Sequence, residues 1–285
     1  MMLLAAKTLL TPILLALCTI ASHYWGNAVG GWLLGLPLAS GPLSLFLAVQ
    51  QGGNFAASAA RSSLLGFLAV GVFCLVYLGL AKMRSWRWSL AGAIAACLGT
   101  VALLSLVHLP LAQTIPLVVM VLVGMNAMLG AAVREKVTSR PSVGAVVLRM
   151  MLAGSVVFAL TAFAGTLGGT ITGLLAPLPV LAGIMTVTAH RKQGAEAARG
   201  LLRGIVVGMW GGVAFFAVVA VFIGHAPQLA TYAGATAAAA IAGGAASGIS
   251  SLQPKLRLKK YLHHSGFSSS LHRFDTVFER VSFRD

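Results

Sequence analysis

Long apolar runs follow one another along most of the chain and are separated by short polar or basic stretches. Each run approaches or exceeds the roughly 20 residues needed to cross the hydrocarbon core of a bilayer. Only helices and closed barrels satisfy their backbone hydrogen bonds in lipid, so the pattern predicts an all-α polytopic membrane protein with nine transmembrane helices. The predicted spans are 3–22, 28–50, 59–81, 88–107, 113–132, 144–164, 168–189, 201–224 and 228–250.

Two stretches of this pattern resemble each other, Gly30–Gly66 and Gly168–Gly204. Aligned without a gap at an offset of 138 residues, they share a Gly-Gly pair, several leucines and an Ala-x-Ala-Ala-Arg block. That block ends at Arg61 in the first copy and at Arg199 in the second, and we expect it to form a loop in both. The duplication predicts two related halves, at residues 1–132 (which include a linker helix) and 133–252, followed by a tail at 253–285.

Proline and glycine interrupt the second and the seventh predicted span at similar places. Pro37, Gly41 and Pro42 lie within the first copy, and Pro177 and Pro179 within the second. A proline inside a helix removes one backbone hydrogen bond and crowds the preceding turn. In a membrane the freed backbone groups must face protein or a water-filled cavity, so paired breaks predict a transport site as well as a packing kink. Polar candidates beside the breaks are Ser40, Ser44, Gln50 and Thr186.

The charge distribution favours a membrane protein over a nucleic-acid-binding one. Charged residues make up 9% of the chain, which has a net charge of +15, whereas a soluble domain has about 25% charged residues. Most cations fall in short loops on one side of the nine predicted spans and in the tail, which predicts a bacterial inner-membrane protein with a cytoplasmic C-terminus. The two halves would then be inverted, or parallel if one span is re-entrant. We expect no nucleic-acid partner.

The ionisable residues within or beside the spans are cations. No acid lies in the interior of a predicted span, so a carboxylate proton relay is missing. Lys7, Arg61, Arg149 and Arg199 are candidate contacts for an anionic solute, and snorkelling to the membrane surface is the competing explanation. We find no residue pattern of a metal site, a cofactor site or a catalytic triad, and expect no enzyme activity.

The tail combines a basic cluster, PKLRLKKYLHH, with apolar residues at helical spacing between Leu271 and Val281. The cluster could bind anionic lipid, although ordinary basic flanking of a last span explains it equally well. The apolar spacing predicts an amphipathic helix that lies on the membrane or docks on a protein partner.

Two partial resemblances concern the copies. The stretch GLLAPLPVLAGIMTVTAHRKQGAEAARGLLRGIVVGMW resembles the GlpM-like family of small inner-membrane proteins. The stretch SGPLSLFLAVQQG is similar to the Pro-Gly-Pro helix of lysine-exporter-type transporters, with Ser40 in place of their first proline. The resemblance implies a transporter but no particular substrate.

Together these features predict a transporter of a small or lipid-linked, anionic solute that alternates its access between two halves. Two alternatives remain open. One is a non-transporting scaffold of an envelope-assembly complex, docked through the tail helix. The other is a lipid-carrier flippase.

Overall fold

The computed structural model describes Tyr24 and residues 27–38, 40–107, 109–129 and 143–264. These residues form helices and short connections and contain no β-strand. In chain order the helices are α1 Asn27–Gly35, α2 Ser40–Gln51, α3 Gly53–Ala81, α4 Trp86–Ser105, α5 Leu111–Leu129, α6 Val143–Ala162, α7 Ala164–Leu175, α8 Val180–Gln193, α9 Ala195–Phe222 and α10 Gln228–His264.

The helices confirm an α-helical membrane protein. Six helical stretches in the described residues are long and apolar enough to cross a bilayer, and α1 and α2 together form one of them, Ala28–Gln51. A seventh is added if α7 and α8, which are bent by 41°, count as a single span. The sixth predicted span is the helix α6. The first predicted span and the tail helix lie outside the described residues.

Helices α3 and α9 form the core because both are apolar on all sides and packed by the other helices. They run antiparallel, since Gly53 at the start of α3 lies beside Ile223 just after the end of α9, and Phe67 farther along α3 packs on Gly212. The ring centroids of Phe67 and Phe216 are 6.0 Å apart. By contrast, α4 and α5 expose most of their apolar side chains, as helices that face lipid do.

The two core helices begin earlier than the sequence predicted. We expected the Ala-x-Ala-Ala-Arg blocks to be loops, but they lie inside α3 and α9, which start at Gly53 and Ala195. The residues Gly52 and Gly194 precede these helices with φ values of 87° and 92°. Such values suit glycine, and they allow the chain to turn from α2 into α3, and from α8 into α9, within one residue.

Each short helix packs on the long helix of the other half. Along α1, Gly31 and then Gly35 touch the α9 backbone at Leu201 and then Ile205. A Cβ atom at either glycine would overlap a carbonyl oxygen, so only glycine permits this close approach. Both helices advance by four residues between the contacts, and they are therefore parallel.

The contact of α7 with α3 has the same form. Along α7, Gly169 and then Gly173 meet Phe55 and then Ala59 of α3. The glycines Gly31 and Gly173 are thus structural counterparts, 142 positions apart. The sequence alignment at an offset of 138 was therefore wrong by four residues, which is about one helical turn.

Candidate functional site

The two breaks, at residues 36–38 and 176–179, have matching hydrogen bonds. The Leu38 amide donates to the Leu36 carbonyl at 2.8 Å, and the Val180 amide to the Leu178 carbonyl at 2.9 Å. One turn later, the following helix starts in both places with a bond of 2.7 Å, from Gly41 to Pro37 and from Gly183 to Pro179. These pairs again lie 142 positions apart. Both prolines lie between two helices, and the carbonyl of each accepts the first hydrogen bond of the following helix.

The spacing of 142 positions also relates the aromatic side chains that pack against the first turns after the breaks. A Cβ atom on Gly41 would lie 3.4 Å from the ring of Phe215, and one on Gly183 would lie 3.6 Å from the ring of Phe73. The two phenylalanines are themselves 142 positions apart, on α9 and α3. The contact of each half with the other is therefore reciprocal.

A pocket with about 60 Å³ of free volume lies where the two breaks meet. The last turn of α1 and the break after it form one wall, and the break after α7 forms the facing wall. Its remaining surface comes from the core helices, through Phe67 and Val70 of α3 and Ile205 and Met209 of α9. None of the described residues that line it is charged.

The pocket contains hydrogen-bond donors that the fold leaves unused. The backbone amides of Ser40, Leu181 and Ala182 stand at the starts of α2 and α8, and none donates to a described backbone carbonyl. Ser40 is 6% exposed, and its hydroxyl makes no hydrogen bond within the described residues. Buried polar groups are normally paired, so four unused donors around one small space indicate a site for an acceptor.

The structure brings only part of the predicted site together. Ser40, Pro177 and Pro179 line the pocket. Pro37, Gly41 and Pro42 belong to the same break and the first turn after it. Two other predicted hydroxyls, about one helical turn farther along α2 and α8, already have hydrogen-bond partners. The Ser44 hydroxyl is 2.9 Å from that of Tyr232 on α10, and the Thr186 hydroxyl donates to the carbonyl of Ala182 at 2.6 Å.

The other predicted contacts do not line the pocket. Gln50 and Arg61 are exposed, and Arg199 is a half-buried residue whose guanidinium lies 3.8 Å from the carboxylate of Glu196. Arg149 lies on α6, and Lys7 lies outside the described residues.

Sequence reasoning missed the significance of Arg203, which is buried on α9 with 5% of its surface exposed. At the spacing of 142 residues its counterpart is Arg61, so one of these two matched cations is exposed and the other is buried. The wrong alignment paired Arg61 with Arg199 and hid this difference. Among the described residues no group of three or more His, Cys, Asp or Glu could hold a metal ion.

Comparison with known proteins adds no assignment. No protein-family model matches the chain, and no curated protein and no solved structure is significantly similar to it.

Proposed function

We propose that this membrane protein is a transporter that carries a small solute through the pocket between its two broken helices. The convergence of both breaks on one pocket carries the proposal. A kink needed only for packing would not have to meet a second kink, nor leave donors unpaired around a shared space. Broken helices that meet inside a membrane protein are a recurrent way of building a transport site from backbone groups.

We further propose that the two halves are inverted repeats. The antiparallel contact of α3 with α9, and the parallel contacts of α1 with α9 and of α7 with α3, support this relation. Two halves of opposite orientation have nearly equivalent packings, one open to each side of the membrane. Exchange between two such packings moves a bound solute across without carrying it through lipid.

The close glycine contacts suggest which parts move together. Backbone contacts join α1 to α9 and α7 to α3, and each pair behaves as a rigid unit because its backbones interlock. Between the units the glycine contacts are less tight, and side chains such as the rings of Phe67 and Phe216 make part of the contact. Side-chain contacts can slide and repack at lower cost than interlocked backbones, so rocking of one unit against the other would open the pocket to alternate sides.

Cysteine accessibility in membrane vesicles tests the proposal without knowledge of the solute. In a chain whose three cysteines are replaced by alanine, Ser40→Cys and its counterpart Ala182→Cys should each react with a small water-soluble thiol reagent added on either side. The matched control is Ser89→Cys, because Ser89 is fully buried in α4 away from the pocket and should react from neither side. A scaffold would keep both pocket positions closed to both sides, and that result would refute transport through this pocket.

A further inference from the structure

We infer that the pocket binds a small monovalent anion, held by the backbone amides of Ser40, Leu181 and Ala182 and by the hydroxyl of Ser40. This inference rests on the proposed function, since it names the class of solute for the same pocket. The sequence suggested lysine and arginine side chains as contacts for an anion. In this inference neutral donors from the two breaks take their place.

The size of the pocket limits the solute. One water molecule needs roughly 10–15 Å³ of free volume measured in this way, and the pocket has about 60 Å³. The space therefore suits an ion of one to roughly four non-hydrogen atoms, such as chloride, nitrate or formate. A drug-sized ligand needs roughly 300 Å³ or more, so the pocket would have to widen before it could hold a sugar phosphate or a lipid head group.

The donors come from two helix starts that face one space. A helix N-terminus carries roughly half an elementary positive charge on its unpaired amides, and α2 and α8 contribute one N-terminus each. Their unpaired amides can donate to an anion, and the C-termini of α1 and α7 at the same breaks offset part of this positive charge. The Born energy of transfer rises with the square of the charge, so a divalent anion would lose about four times as much hydration energy without a matching counter-charge.

Ser40 provides the observation that is independent of the helix ends. The residue is 6% exposed and lines the pocket, and its hydroxyl has no partner among the described residues. Many hydroxyls in these helices instead bond back to a carbonyl three or four residues earlier, as those of Ser63 and Thr186 do. A hydroxyl that is left out of this pattern, on a residue that lines the same pocket as Leu181 and Ala182, is available to the same acceptor.

The charges around the pocket favour an anion over a cation. The breaks also leave carbonyl oxygens at the ends of α1 and α7, which could attract a cation. A cation there would be held by these carbonyls alone, because the described residues bury no carboxylate.

Thermal unfolding of the purified protein in detergent tests the inference. The probes are choline chloride and choline nitrate, compared with choline gluconate and choline sulfate at equal ionic strength. We expect chloride or nitrate to raise the unfolding temperature with a saturable dependence, because a ligand that binds only the folded state stabilises it. Sulfate stabilises proteins generally by exclusion from their surface, so a nonsaturable rise with sulfate would not indicate binding.

Three variants assign the effect to the pocket. Ser40→Ala should raise the half-saturating concentration about tenfold, as expected for the loss of one hydrogen bond to a charged group. Ala182→Ser adds a hydroxyl at the matched position of the second half and should lower it. Ser89→Ala is the control, since the Ser89 hydroxyl bonds the carbonyl of Ser85 within α4 and is remote from the pocket.

The outcomes separate the inference from the proposed function. If sodium gluconate stabilises the protein and the choline salts do not, the pocket is a cation site and the inference is wrong. If no salt gives a saturable effect, or Ser40→Ala leaves the anion effect unchanged, it is also wrong. In each of these cases two-sided labelling of position 40 would leave the transport proposal standing. Anion binding with no labelling from either side would support the site and refute transport through it.

Discussion

Single glycines decide how closely the two halves of this protein interlock. At Gly173, a Cβ atom would overlap the carbonyl oxygen of Ala59 on the facing helix, whereas at Gly244 on α10 nothing lies within 4 Å. Both glycines are helical and neither has a positive φ, so they differ mainly in their surroundings. They form a matched pair for measuring what the close approach contributes.

We therefore expect Gly173→Ala to lower the free energy of unfolding by roughly 1–3 kcal/mol, because α7 must move away from α3 to make room for the methyl group. Gly244→Ala should be neutral or stabilise by up to about 1 kcal/mol through helix propensity. Unfolding in detergent, followed by tryptophan fluorescence, measures both values. Equal effects of the two variants would mean that the α3–α7 contact is looser than described.

The composition of the chain explains why the sequence alignment at an offset of 138 residues differs by four residues from the pairing that the contacts show. Glycine, alanine and leucine are so frequent in this chain that a gapless alignment one helical turn out of place still collects many identities. The structure replaces them with matches of greater physical meaning, such as Pro37 with Pro179 and Gly52 with Gly194. These residues are recognisable in the sequence, but only contacts and hydrogen bonds reveal which of several possible pairings the fold uses.

At the scale of elements, the two joints before the core helices depend on backbone conformation. Gly52 and Gly194 have positive φ values and no atom within 4 Å of a Cβ position, so a side chain there would be strained without being crowded. Gly53, the next residue after the first joint, has ordinary helical geometry, and a Cβ there would make a normal contact of 3.5 Å with the Ile223 carbonyl.

We expect Gly52→Ala and Gly194→Ala each to cost about 1–3 kcal/mol of unfolding free energy, because a positive φ combined with a ψ near 180° is a backbone conformation that only glycine adopts readily. Gly53→Ala should cost much less or nothing. Chemical denaturation of the three variants in one detergent provides the comparison. If Gly53→Ala were as damaging as its neighbour, strain at the joint would not be the cause.

The elements also separate what the sequence could predict from what it could not. Lipid requires long apolar runs, so the positions of most spans could be predicted from hydropathy. The breaks could be predicted because proline cannot continue the hydrogen-bond ladder. The starts of α3 and α9 could not be predicted. Their first turns contain the polar residues Asn54 and Glu196, which are typical of a loop. These first turns are nevertheless helical, because Ala56 and Ala197 on their opposite face are buried.

At the scale of the whole molecule, basic residues from distant parts of the chain meet at one end. The guanidinium of Arg191, at the end of α8, lies 5.1 Å from the ring centroid of Trp86 at the start of α4. The guanidinium of Arg87 lies 5.4 Å from the same ring. The end of α3 and the start of α9 therefore share a face of the protein that is rich in cations. Such a face is expected on the cytoplasmic side of a membrane.

This arrangement gives the inverted-repeat proposal a direct test. Asn54 and Glu196 hold matched positions in the two halves, 142 residues apart, and both are exposed. Inverted halves place them on opposite sides of the membrane, and parallel halves place them on the same side. Met83, which is 85% exposed after α3, and the exposed His225 after α9 mark the two sides independently.

We expect single cysteines at positions 83 and 196 to react with a membrane-impermeant maleimide from the cytoplasmic side, and those at positions 54 and 225 from the other. The antiparallel contact of α3 with α9 requires this division whatever the solute is, because the start of each core helix lies beside the end of the other. Labelling of positions 54 and 196 from one side would mean that the halves are parallel. The proposed alternation between two inverted packings would then be ruled out.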